Sequence, residues 1–132
     1  MRLAIVGATG LVGKEILKVV QERCFFYSEL ILVASEKSKG KEVLVNNKTH
    51  VVIAIDELIE QKPDLALFSA GSNVSKEWAP KLAEQGCKVI DNSSFWRMFS
   101  KHKLIIPEIN GNQITNSDLI IANPNCSTIQ LL

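Results

Sequence analysis

Apolar residues fall along this chain in short continuous runs, separated by stretches with helical periodicity. Arg2–Val6 is the first run and reads as a buried strand. It passes directly into Gly7-Ala8-Thr9-Gly10-Leu11-Val12-Gly13. A helical pattern follows, with Val12, Ile16, Val19 and Val20 at i, i+4, i+7 and i+8, and Lys14, Glu15, Lys18 and Gln21 on the polar side. Leu30–Ala34 is the next buried run. Strand, helix and strand within about 35 residues make one βαβ unit, whose crossover is expected to be right-handed.

A polar loop, Ser35–Lys41, comes next. Val43–Val45 and Val51–Ile55 flank Asn46-Asn47-Lys48, which predicts a hairpin. Leu65–Phe68 reads as a strand and ends in Ser69-Ala70-Gly71. A second amphipathic helix carries Val74, Trp78 and Leu82 on one face and stops at Gly86. Val89–Ile90 runs into Asp91-Asn92-Ser93-Ser94, and Leu104–Ile106 and Leu119–Ala122 are the last strand candidates. Alternating strands and helices predict an α/β, Rossmann-like, doubly wound and mainly parallel sheet. Ligands of such sheets sit beyond the carboxyl ends of the strands. The small and polar segments Gly7–Gly13, Ser35–Ser38, Ser69–Gly71, Asn92–Ser94 and Asn123–Cys126 all follow predicted strands, so they should converge on one edge.

Composition narrows the picture. A chain of 132 residues is one domain's length and can bury a real core. With 46% hydrophobic and 22% charged residues, disorder is not expected. A net charge of +1 offers no basic footprint for nucleic acid and no polybasic membrane patch. The apolar runs are far shorter than the roughly 18 residues a membrane span needs. Met1-Arg2-Leu3 leads straight into a strand, unlike a signal peptide, so the cytoplasm is the expected compartment. Cys24, Cys87 and Cys126 are too widely spaced for a disulfide framework or a metal site.

Gly7-x-x-Gly10-x-x-Gly13 lies between a strand and a helix. Glycines there permit a tight turn and close approach of a pyrophosphate, which the free N–H groups of the helix start would hold. A plain glycine-containing turn is the simpler alternative. The following loop, Ser35-Glu36-Lys37-Ser38-Lys39-Gly40-Lys41, selects the cofactor. Its lysines and hydroxyls suit the 2′-phosphate of NADP, while Glu36 keeps NAD open as the less favoured choice. The same lysines would also suit a solvated loop.

Near the end, Asn123-Pro124-Asn125-Cys126-Ser127-Thr128-Ile129-Gln130 follows a strand. Ser127-x-x-Gln130 has capping-box spacing, which predicts a helix starting at Ser127 with Cys126 at its N-terminus, a position that stabilises a thiolate. A nucleophilic cysteine at this edge suits aldehyde chemistry through a thioester. The alternative is a buried small hydrophobe, which is how Cys24 and Cys87 read.

With these pieces in place, the chain resembles the aspartate-semialdehyde dehydrogenases over its whole length. The likeness is carried by the glycine loop, Ala34–Lys41, Phe68-Ser69-Ala70-Gly71, Asp91-Asn92-Ser93-Ser94, Arg97-Met98, Pro107-Glu108-Ile109-Asn110 and, most specifically, Asn123–Gln130. That family usually has arginine where Lys37 stands, so the charge is kept and the planar fork is lost. The resemblance implies NADPH-dependent reduction of L-aspartyl 4-phosphate to aspartate semialdehyde and phosphate, a step toward lysine, threonine, methionine and diaminopimelate. It implies Cys126 as nucleophile and Gly7, Thr9, Gly10, Leu11, Val12, Gly13, Lys37, Ser38, Ser69, Ala70, Gly71 and Asn92 as cofactor-binding residues. Arg97 resembles the family's phosphate-binding arginine, though it could instead cover Phe95 or Phe99; Asn125 could orient substrate or simply form a turn. No metal is implied. The mechanism also needs an acid/base histidine, and His50 and His102 both read as surface residues.

The resemblance implies that this histidine, the carboxylate-binding arginine and most of a homodimer interface belong to later parts of the family's chain. The apolar end Leu131-Leu132, inside an expected helix, points to a truncated piece or gene fragment of an NADP-binding domain spanning 1–132. Two alternatives stand beside the dehydrogenase: a catalytically inactive nucleotide-binding piece, and a related reductase such as one acting on N-acetyl-γ-glutamyl phosphate.

Overall fold

The computed structural model describes residues 1–131. Residue 132, half of the apolar end noted above, lies outside the described residues. Strand β1 (Arg2–Val6), helix α1 (Leu11–Glu22) and strand β2 (Glu29–Val33) form the expected βαβ unit. A hairpin of β3 (Glu42–Val45) and β4 (Lys48–Val51) follows, then α2 (Ile55–Gln61), β5 (Leu65–Phe68), α3 (Ser72–Glu84) and β6 (Lys88–Asp91). A short helix α4 (Pro107–Asn110), strand β7 (Ile120–Ala122) and helix α5 (Cys126–Gln130) complete the order. The main sheet has five strands in the order β2-β1-β5-β6-β7, and every pairing in it is parallel. The doubly wound expectation therefore holds.

Alternation along β1 builds two cores. Leu3 and Ile5 pack with Leu17 and Val20 of α1 on one face. Ala4 and Val6 pack with Leu58 of α2 and Ala79 and Leu82 of α3 on the other. The strand order reverses direction between β1 and β5, which makes that gap the topological switch point where such sheets bind ligands. Beyond β7, Leu104 bridges to Ala122, and the main chain of Lys103 and Ile105 satisfies the outer edge of that strand.

Several expectations need correction. The buried face of α1 is Gly13, Leu17 and Val20, with Ile16 partly buried beside it; of the expected stripe Val12, Ile16, Val19 and Val20, only Val12 and Val19 turn outward. The two stripes differ by one residue, and the tight seat of Gly13 against the glycine turn decides between them. Val12 and Val19 are left exposed, bordering an apolar cavity of about 420 Å³ with Phe25 and Leu67. On α3 the buried positions are Ser75, Ala79 and Leu82, with Val74 and Trp78 partly buried beside them. Ser75 is inside because it accepts a hydrogen bond from Trp96 Nε1 at 2.8 Å, a pairing hydropathy does not register.

The second hairpin strand is Lys48–Val51, not Val51–Ile55. Asn46 and Asn47, with φ of 50° and 63°, make the whole turn, as a two-residue hairpin of this hand requires. Ile55 instead opens α2, a helix the β-branched run concealed; Ile55, Leu58 and Ile59 carry its apolar face at helical spacing. Leu104–Ile106 contributes only the single bridge from Leu104. Finally, α5 begins at Cys126, one residue before the expected start.

Candidate functional site

The glycine turn is held from below and from the side. Gly7 and Ala8 N–H both donate to the Val33 carbonyl, at 2.9 and 3.0 Å, tying the turn to the end of β2. Gly7 has φ of +91°, and a Cβ placed on it would meet the Ser69 carbonyl oxygen at 2.3 Å. A Cβ on Gly13 would meet the Gly7 oxygen at 2.0 Å. Glycine is thus required at both positions, at Gly7 by conformation and contact and at Gly13 by contact alone. Gly13 acts by seating α1 on the turn, while the N–H groups of the first turn of α1 have no carbonyl partners of their own helix. A crevice of about 400 Å³ opens there, lined by Gly7, Thr9 and Gly10, by Ala34 and Ser35, and by Ser69 and Ala70. Ile55 and Val74 form its apolar wall. Glycine-lined walls, a helix start and an apolar side fit a pyrophosphate and its nucleoside. The side chains of Leu11 and Val12 do not line the crevice: Leu11 is 84% exposed and Val12 borders the cavity on the other face of the sheet.

The second loop is joined to this turn. Thr9 Oγ1 donates to Ser38 Oγ at 3.3 Å, and Ser38 is buried. Of the three lysines of the loop, Lys39 alone is paired among the described residues. Lys39 pairs with Glu57 on α2, and their hydrogen bond raises the Lys39 pKa and lowers that of Glu57. Lys37 is exposed and forms no ion pair among the described residues. Glu36 beside it is exposed as well.

At the other end of the edge, β6 and β7 are knit together by side chains. Asn123 Nδ2 donates to Asn92 Oδ1 at 2.8 Å. Arg97 donates from Nε to the Asn123 carbonyl at 2.8 Å and from Nη2 to the Asn92 carbonyl at 3.1 Å. One edge of its guanidinium fork is therefore occupied by main chain, and the end bearing Nη1 remains for an anion. Ser72 and Ser94 share a hydrogen bond of 3.1 Å, joining the loops after β5 and β6. Asn125 caps α5, its Oδ1 accepting from Ser127 N–H at 2.8 Å. The turn role, left open above, is thus filled by Asn125, and Ser127 is not the cap. Cys126 occupies the first helical position and is exposed. Three strand spacings of about 4.8 Å put the end of β7 roughly 14 Å from that of β1.

Residues 2–117 match the sequence model of a family described as semialdehyde dehydrogenase, NAD binding domain. The chain belongs to this family. It is 52% identical over 134 residues to the aspartate-semialdehyde dehydrogenase of Aquifex aeolicus, covering 99% of this chain and 39% of that protein. The Vibrio mimicus aspartate-semialdehyde dehydrogenase is 49% identical, over 98% of this chain and 42% of that protein. Among solved structures, Vibrio cholerae aspartate semialdehyde dehydrogenase II complexed with ASA superimposes with a TM-score of 0.94 at 48% identity, over 99% of this chain and 44% of that one. The chain therefore spans about two-fifths of the length of the relatives it matches.

Within this semialdehyde dehydrogenase domain the carboxyl edge gathers Gly7, Thr9, Gly10, Ser38, Ser69, Ala70, Gly71, Asn92, Arg97 and Asn125 on loops that follow strands, and Cys126 at the start of α5. It does not gather the histidines. His50 lies on the hairpin, its pKa lowered by burial and then by Lys48. His102 stacks edge-on against Trp96 at 4.8 Å, its pKa lowered by burial and then by Lys101. Cys87 behaves as the expected buried hydrophobe, its thiol pushed up to about 12 by burial and then by Asp64. Cys24 is exposed instead, with φ of 50° just beyond the end of α1. Sequence reasoning missed Ile55 as part of the edge, and it placed Asn123 there without its bond to Asn92. Ile55 could have been found from the helical spacing of α2; the side-chain bond from Asn123 to Asn92 has no local signal.

Proposed function

We propose that this chain is the NADP-binding, nucleophile-bearing domain of an aspartate-semialdehyde dehydrogenase that converts L-aspartyl 4-phosphate to aspartate semialdehyde and phosphate. The observation that carries this reading is an exposed cysteine at the first position of α5, on the same carboxyl edge as a glycine-walled crevice at the switch point of the sheet. The Cys126 thiolate attacks the acyl carbon, a thioester forms, and phosphate departs toward the free end of Arg97. Gly7–Gly13, Ser69–Gly71 and Asn92 would hold the reduced dinucleotide, which when bound would supply the hydride that takes the thioester to the aldehyde level. Cys126 is then released as thiolate. Neither histidine of the chain stands at this edge to move the accompanying proton, so that group belongs to a part of the enzyme beyond these residues. The enzyme is a homodimer in the cytoplasm, and the domain spans 1–132.

NADP is preferred over NAD because exposed Lys37 carries no competing ion pair and lies beside the linked hydroxyls of Thr9 and Ser38. Titrating the chain with both dinucleotides tests this: NADP binds more tightly, and equal affinity rejects the preference. In a turnover assay with aspartate semialdehyde, phosphate and NADP, this chain alone binds cofactor and shows no steady-state activity. Sustained turnover would reject the division of labour with the missing acid/base group.

A further inference from the structure

We propose that Asp91 is a positioning residue, whose buried carboxylate shapes the turn that aims Arg97. The inference rests on the reading of Arg97 as the anion-binding group. Asp91 closes β6 and is 0% exposed. Among the described residues its carboxylate forms no ion pair. A carboxylate is costly to bury unless its oxygens are hydrogen-bonded, so its presence calls for a reason.

Its bonds run toward Arg97. Asp91 Oδ1 accepts Ser93 N–H at 3.1 Å, and Oδ2 accepts the Ser93 hydroxyl at 2.5 Å. The Ser93 hydroxyl oxygen in turn accepts Phe95 N–H at 3.3 Å. This bends the chain sharply after Asn92, instead of letting β6 continue. Asn92 itself is pinned, its N–H donating to the Phe68 carbonyl at 2.9 Å and its side chain bonded to Asn123. The bend brings Arg97 back onto the Asn92 carbonyl, while the Asn123 carbonyl takes Nε. The main-chain carbonyl of Asp91 also accepts Asn123 N–H at 2.8 Å, so one residue fixes both carbonyls that hold the guanidinium. Trp96, bonded to Ser75, anchors the returning segment on α3. An asparagine at 91 could still accept from Ser93 N–H and donate its NH2 to the hydroxyl oxygen, but the charge-assisted bond from that hydroxyl would be lost, so the hold is weakened without a carboxylate.

The test uses the whole chain and the alkylation of Cys126 by anionic iodoacetate and neutral iodoacetamide. Rates are read by mass spectrometry, with exposed Cys24 as internal reference. An aimed guanidinium makes Cys126 prefer iodoacetate over iodoacetamide, relative to Cys24, by on the order of fivefold at low salt. Arg97→Gln removes the preference. If the unmodified chain shows none, or if Arg97→Gln leaves it intact, the reading of Arg97 and this inference fall together. Given that preference, Asp91→Ala is expected to abolish it, and Asp91→Asn and Ser93→Ala to reduce it, with the thermal transition of the latter two close to that of the parent. Should Asp91→Ala not fold, the other two variants decide. A folded Asp91→Asn or Ser93→Ala that keeps the full preference overturns the role of Asp91 and leaves that of Arg97 standing.

Discussion

The two ends of the carboxyl edge are built by different means. The glycine turn is fixed by backbone contact: a Cβ on Gly7 or Gly13 would lie within 2.3 Å of a carbonyl oxygen. The cysteine end is fixed by side chains, through Asn92, Asn123, Arg97, Asp91 and Asn125. Backbone contact tolerates no added atom, whereas a hydrogen-bonded network can lose one member and relax. The first end should therefore fail abruptly on substitution and the second in graded steps.

The largest expected effect is at the glycines. Gly13→Ala or Gly7→Ala should cost about 3 kcal/mol, because the opposing atoms are main chain and cannot move aside cheaply. Urea denaturation measures it, and a loss under about 1 kcal/mol would erase the contrast between the two ends. Next is Lys37→Glu, which places like charge against a 2′-phosphate. NADP affinity should fall on the order of tenfold while NAD affinity holds, since about 1.4 kcal/mol of lost interaction is a tenfold change. Fluorescence titration of the reduced cofactors would show it.

Asn125→Ala removes a helix cap, a loss of about 1 kcal/mol confined to α5. Hydrogen exchange at Ser127 and beyond should quicken while the sheet amides keep their protection; a global loss of protection would mean the cysteine end is as brittle as the glycine end. The smallest effect concerns Asp118, just before β7. The Lys103 ammonium and Thr115 hold its carboxyl at about 2, below its usual 3.8. A depressed folded value means that its contribution is present above about pH 4 and is lost as pH falls toward 2. Lys103→Met should narrow the difference between stability at neutral pH and stability near pH 2, and an unchanged difference would show the pair to be indifferent.

The glycine end was legible because its constraints are local in sequence: a strand, Gly7-x-x-Gly10-x-x-Gly13 and a helix lie in one stretch of chain. Cys126 was legible for the same reason, its neighbours Asn125 and Ser127 standing beside it. The cap itself was misread by one step, because both Asn125 and Ser127 can cap and only the main-chain path selects Asn125. The stripe on α1 was misread because two apolar stripes overlap there, and the contact of Gly13 with Gly7 chose the rotation. Helix α2 was hidden by the β-branched residues that precede it.

The sequence by itself determined the alternation of elements, from which a parallel sheet and the loops at its carboxyl edge follow, since that alternation depends on residues near one another in the chain. Only the tertiary structure decided which lysine of the second loop is paired, that Arg97 rests on the carbonyls of Asn92 and Asn123, and that Asp91 is buried behind them. Those outcomes depend on pairs of groups from different strands, whose distances are set when the sheet assembles and not before.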